Sequence, residues 1–192
     1  FDPPHDAHIA LARACVEQHA LTRLVITPTG DAWHKARTLS PAADRLAMAR
    51  LAFGGLPRVV VDDREMRRAG PSYTIDTLTE LRAEHPGASL VLQLGADQAA
   101  ALPTWHRWQE ILQLATISVA FRADGTRTSA EFDVANPPLA LAAGRLVALR
   151  LPVLPHSSTA VRQRVAAGLP IDDLVPPAVA RYIADHHPYP TA

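Results

Sequence analysis

Five short apolar runs, at residues 24–27, 59–61, 90–94, 117–121 and 146–151, alternate along this chain with stretches whose apolar residues recur at helical spacing. Strands separated by helices pair most simply in parallel, because a parallel pair needs a long crossover that a tight turn cannot supply. The alternation therefore predicts an α/β fold, a mostly parallel sheet with helices on its faces and further helices at the C-terminal end.

Local signals place the helices. The first begins near residues 6–8 and runs towards His19, with Ile9, Ala12, Val16 and Ala20 on one face. Ser40-Pro41 reads as an N-cap followed by proline at the first helical position, opening a helix that carries Leu46, Met48, Leu51 and Phe53. A third helix spans 74–84 with Ile75, Leu78 and Leu81 facing inward, and His85-Pro86-Gly87 ends it. A helix over 158–167 stops at Gly168, and a last one follows Pro176-Pro177 as far as His187. Residues 122–144, with Gly125 and Asn136-Pro137-Pro138, read as a surface excursion between two strands.

At 192 residues the chain fits one domain spanning 1–192. Its 19 basic and 19 acidic side chains cancel, which gives no footprint for nucleic acid. Cys15 is the only cysteine, so an internal disulfide is excluded, and no apolar run is long enough to span a membrane. A reducing, cytoplasmic setting is expected. Lys35 is the only lysine among many arginines, a bias that makes each single arginine weak evidence of a site.

Two clusters carry chemistry. His5-Asp6-Ala7-His8 follows Pro3-Pro4 at a helix start, so both imidazoles project from one side of the first turn, where free N–H groups and the helix dipole favour phosphate oxygens. The same pair could hold a metal, or be two solvated polar residues. His156-Ser157-Ser158-Thr159-Ala160-Val161-Arg162 brings three hydroxyls to another helix start, with Arg162 one turn on and able to clamp phosphate bidentately. A bare Ser-Ser-Thr is also a plain N-cap. Together, two such starts in an α/β chain suit a triphosphate site at the carboxyl edge of a parallel sheet.

The residues from Phe1 to His8 resemble the first signature of the nucleotidylyltransferase superfamily, and His156 to Arg162 its second. Ala7 stands where that family has glycine, and His156 where an aliphatic residue is usual. The middle of the chain resembles the nicotinate-nucleotide adenylyltransferase branch, in Thr29 to Lys35, in Gly70 to Leu78, and in Leu94-Gly95-Ala96-Asp97 followed by Pro103-Thr104-Trp105. The resemblance implies a Rossmann-like fold, cytoplasmic and acting in NAD biosynthesis. In that family a strand and a Gly-Gly-Thr/Ser turn precede the position of Phe1, so the first strand is expected to be absent from this chain, and restoring it to raise stability and activity.

The implied reaction is adenylyl transfer from ATP to nicotinate mononucleotide, giving deamido-NAD and pyrophosphate, with Mg²⁺ accompanying ATP. His5, His8 and Arg162 would then be catalytic. Ser157, Ser158, Thr159, Asp97 and Gly95 would bind ATP. Ser72, Tyr73, Thr74, Trp105, His34 and Lys35 would bind the acceptor, Trp105 by stacking on its cationic pyridinium ring. No nucleic-acid or membrane partner is expected, and a homo-oligomer is compatible with the sequence. Three other readings stay open: a phosphopantetheine-type adenylyltransferase, a non-catalytic nucleotide-binding domain, and a histidine-ligated metal hydrolase.

Overall fold

The computed structural model describes residues 1–30, 39–122, 145–151, 154 and 156–189. In chain order the elements are α1 (Asp6–Gln18), β1 (Leu24–Ile26), α2 (Ala42–Phe53), β2 (Val59–Val61), α3 (Arg64–Arg67) and α4 (Thr74–Glu84). They continue with β3 (Leu90–Gly95), α5 (Ala96–Ala101), a 3₁₀ turn (Leu102–Thr104), α6 (Trp108–Leu114), β4 (Ala115–Arg122), β5 (Leu146–Leu151), α7 (Ser158–Ala166) and α8 (Pro177–His186). Each described strand pairing is parallel, so the α/β expectation holds. The chain divides into two compact units, Phe1–Pro71 with Leu154–Ala192, and Ser72–Val153.

In the first unit β1 lies beside β2 with Leu24 opposite Val59 and Ile26 opposite Val61, and α2 is the crossover between them. The core gathers Ala12 and Val16 of α1, Met48 and Phe53 of α2, Val161 of α7, and Val175, Val179 and Ile183 around α8. Two sequence expectations shift here. Ala20 is not on the buried face, because α1 ends at Gln18 and Ala20 turns out to solvent with φ 48°. Leu51 is 44% exposed, and Arg45 takes a buried place on α2 instead.

Ser40 is also not the cap of α2. Pro41 occupies the N-cap position, while the Ser40 N–H donates to the Asp2 carboxylate at 3.3 Å and its hydroxyl to the Pro188 carbonyl at 3.5 Å. The Ser40 hydroxyl, whose oxygen would accept from a first-turn N–H in a cap, is instead turned to Pro188. At the other end of the unit the punctuation is as expected: Gly168 follows α7 with φ +66°, a left-handed turn that suits glycine, and Pro177 opens α8.

In the second unit the sheet order is β3-β4-β5, with Leu90 opposite Ala115 and Ile117 opposite Leu146. Its own core is built from Ile75 and Leu78 of α4, Leu94, Ala99, Leu102, Ile111, Ile117 and Val119. Leu81, expected inward, is half-buried, and Thr77 lies on the buried face beside Leu78. Ser118 is fully buried in β4, made tolerable by the bond its hydroxyl donates to Gln93 Oε1 at 2.6 Å. The short helices α3, α5 and α6 carry too few turns for a readable apolar stripe. The excursion expected between β4 and β5 lies outside the described residues from 123 onward.

Candidate active site

Pro3-Pro4 cannot lie inside a helix, and the chain enters α1 with His5 as N-cap in an extended conformation, φ −142° and ψ 172°. Helix starts leave N–H groups unpaired, and here two histidines deal with one of them. The His5 backbone N–H donates to His8 Nδ1 at 3.2 Å, the return half of a capping box with histidine in the place usually held by glutamate. The bond fixes the tautomer: a neutral His8 whose Nδ1 accepts must carry its proton on Nε2. The two rings lie 3.7 Å apart between centroids, and Phe1 packs edge-on against His8 at 4.8 Å.

Both rings are held neutral. Burial, then the nearby His156, lower the pKa of His5 from 6.5 to about 4. Burial and then His5 lower that of His8 to about 2, and protonating its Nδ1 would also break the bond from the His5 amide. His5 is 6% exposed, and although its ring faces the His8 amide, its Nδ1 makes no hydrogen bond. His8 thus presents a neutral N–H donor at a helix N-terminus.

The second cluster is fastened to the first. Ser157 is the N-cap of α7 and accepts from the Ala160 N–H at 3.1 Å. The Ser158 hydroxyl donates to the Pro3 carbonyl at 2.8 Å, and Arg162 donates to the Asp2 carbonyl at 2.7 Å and to the Thr159 hydroxyl at 3.1 Å. The two helix starts that the sequence singled out separately, more than 140 positions apart in sequence, are therefore side by side, joined by bonds spanning 155 and 160 residues. Ser157 acts as the cap that the bare Ser-Ser-Thr pattern also allowed, and Ser158 and Thr159 act as ties that spacing alone did not show.

A third layer was not legible in the sequence. Asp2 is 4% exposed, and its carboxylate accepts from the Ser40 N–H and from the Tyr189 hydroxyl at 3.0 Å. Burial, then the Asp2 charge, push that phenol well above its ordinary pKa. Arg45, buried on α2, donates to the carbonyls of Ser40 at 3.0 Å, Thr29, and Gly30 at 3.1 Å, fastening the chain on both sides of residues 31–38. His34 and Lys35 fall in that interval, outside the described residues. An aspartate before a proline and one arginine among many give no pattern that would have marked them.

In the second unit Tyr73 is the N-cap of α4, Ser72 precedes it, and Thr74 is the first helical residue. The Tyr73 ring lies 4.4 Å from that of His106, a neighbour sequence reasoning did not name although it follows Trp105 directly. Trp105 is half-buried and packs against the unit's core, so part of its surface serves packing. Gly95 ends β3 and caps α5, with open space where a Cβ would stand; Asp97 sits in the first turn of α5. Among the described residues no group of three or more His, Cys, Asp or Glu side chains could hold a metal ion. Among the same residues no helix is long and apolar enough to cross a membrane.

A family model described as Cytidylyltransferase-like matches residues 1–164. A protein of Albidiferax ferrireducens named "Probable nicotinate-nucleotide adenylyltransferase" is 55% identical over 100% of this chain and 95% of its own length. One of the same name from Methylibium petroleiphilum is 43% identical over 98% of this chain and 88% of its own. Among solved structures, a Plasmodium falciparum nicotinic acid mononucleotide adenylyltransferase complexed with NaAD superposes with a TM-score of 0.77 at 16% identity, covering 97% of this chain and 92% of that one. At that identity the superposition speaks for the α/β fold.

Proposed function

The chain belongs to the cytidylyltransferase-like family, in its nicotinate-nucleotide adenylyltransferase branch, and from that premise we propose that it joins nicotinate mononucleotide to the AMP part of ATP. The observation that carries this reading within the molecule is the tie between the two helix starts. Ser158 and Arg162 hold α7 against the residues that lead into α1, which brings together two positive helix ends, and we assign His8 Nε2–H and Arg162 to the phosphates that such a pair would attract.

In the reaction a phosphate oxygen of the mononucleotide attacks the α-phosphorus of ATP in line. The new P–O bond forms as the α–β bridge breaks, and pyrophosphate leaves with the bonding pair. The nucleophile is already an anion at neutral pH, so the protein needs neither a strong base nor a covalent intermediate. What it supplies is position and charge stabilisation on the bridging and equatorial oxygens. A neutral His8 donates from Nε2 without first having to be protonated, and Arg162 supplies the fixed positive charge. Triphosphate oxygens nearby oppose the causes that depress His5 and His8, and so raise both pKa values on binding.

The described residues offer no metal cage, so Mg²⁺ enters with the triphosphate as part of the substrate, in keeping with its habit of binding through phosphates and retained water. In the second unit the start of α4 at Ser72, Tyr73 and Thr74 is assigned to the nicotinate carboxylate, and Trp105 to the pyridinium face. We place the enzyme in the cytoplasm, as a single domain over 1–192.

Pyrophosphate release that needs ATP and nicotinate mononucleotide together is the decisive measurement. Release with phosphopantetheine and not with the mononucleotide would assign the chain to the other adenylyltransferase class. ATP binding without turnover on either acceptor would leave a nucleotide-binding domain.

A further inference from the structure

Polar ring nitrogens sealed from water and left without a partner are uncommon in folded proteins, since each forfeits the hydrogen bonds it had in water. Among the described residues two such atoms stand out, and both are histidine Nδ1 atoms at helix starts, on His5 and His156. His5 caps α1, and His156 immediately precedes Ser157, the cap of α7. The ties from Ser158 to Pro3 and from Arg162 to Asp2 bring those starts together, and the charge of His156 reaches His5. The carboxylate within electrostatic reach of His156 is that of Asp173, which Arg164 already engages. The two helix ends, His8 and Arg162 favour an anion here, and the nearby buried Asp2 carboxylate is already engaged by the Ser40 N–H and the Tyr189 hydroxyl.

The position itself argues against a packing role. A residue just before an N-cap is commonly apolar and packs on the fourth helical residue. Here that fourth residue is Val161, fully buried, so an aliphatic side chain at 156 would complete the contact with no orphaned nitrogen. A histidine at that place carries a polar cost that ligand-free packing does not repay.

We infer that His156 is a further polyphosphate-binding residue, its imidazole joining that of His5 on the oxygens of a triphosphate. This rests on the reading of the paired helix starts as a phosphate site. The reaction as described above makes no use of His156, and its function is to tighten binding of the triphosphate before transfer.

Inorganic triphosphate is the probe, titrated calorimetrically into the whole chain and into His156→Leu and His156→Gln variants, with thermal unfolding of each measured without ligand. The leucine variant should melt at the same temperature or higher and bind triphosphate about tenfold or more weakly, and glutamine, which keeps a side-chain donor, should recover part of the loss. Unchanged affinity in the leucine variant, a melting temperature that falls together with affinity, or a wild-type chain that does not bind triphosphate would each overturn the inference. Triphosphate binding that depends on His156 in a chain that transfers no adenylyl group would keep it, and would remove the proposed reaction instead.

Discussion

His8 has its tautomer decided by a single backbone amide, because the His5 N–H occupies Nδ1 and leaves Nε2 to donate. His8→Ala is therefore expected to lower turnover by about 2.7–4 kcal/mol of transition-state stabilisation, the cost of one oxyanion-type donor, as read from kcat of the variant beside its melting temperature. Arg162→Ala should lose as much in turnover and also some stability, since the same guanidinium holds the Asp2 carbonyl. Unchanged kcat in either would leave that residue structural. Trp105→Ala is expected to weaken nicotinate mononucleotide by roughly 0.5–2 kcal/mol and ATP little; an equal loss for both ligands would return Trp105 to the packing role its half-buried ring already serves. At this scale the sequence marked the candidate groups and hid those that hold them. His5, His8 and Arg162 sit in spacings that mean something by themselves, whereas Asp2, Arg45 and Tyr189 acquire meaning from partners such as Ser40, Thr29 and Asp2, 38, 16 and 187 positions away.

The start of α1 is an element whose stability depends on pH. The pKa of His5 falls from 6.5 to about 4 on folding and that of His8 to about 2, so between those values and 6.5 the unfolded chain binds protons that the folded chain refuses. Stability is then complete above pH 6.5 and declines as pH drops, towards 4 for His5 and further for His8, by at most about 1.4 kcal/mol per unit for each histidine. Denaturant midpoints measured from pH 7.5 down to about 5 should fall, and a chain with both histidines changed to glutamine should show a flatter profile. A wild-type profile as flat as the variant's would mean that the rings are not held neutral. Helix identity was legible wherever a stripe of apolar residues ran for several turns, as in α1, α2 and α4. Caps were less so: Ser40-Pro41 has the form of a helix start, but the Ser40 hydroxyl is directed to the Pro188 carbonyl, the Ser40 N–H to Asp2, and the helix begins one residue later than the pattern suggests.

At the scale of the whole molecule the described residues form two cores, one around Met48, Phe53, Val161 and Val179, the other around Ile75, Leu102, Ile111 and Ile117. Phe53→Ala is expected to cost about 3–5 kcal/mol, seen as a lower denaturant midpoint at unchanged slope. If 1–192 is one domain, calorimetric and van't Hoff enthalpies of unfolding should agree; two resolved transitions would assign the cores to separately folding domains. The sequence by itself determined the α/β class, the parallel pairing and the two helix starts at His5 and Ser157, because period, caps and breakers act over a few residues and are written in consecutive letters. Only the tertiary structure decided that Ser158 would bond Pro3, that Arg162 would bond Asp2, and that His5 and His156, at the starts of α1 and α7, would be carried to one place. Those contacts join residues about 150 to 160 positions apart, and no local preference selects such a partner; it is fixed when α1 and α7 bury Ala12, Val16 and Val161 in one core and their first turns are carried together.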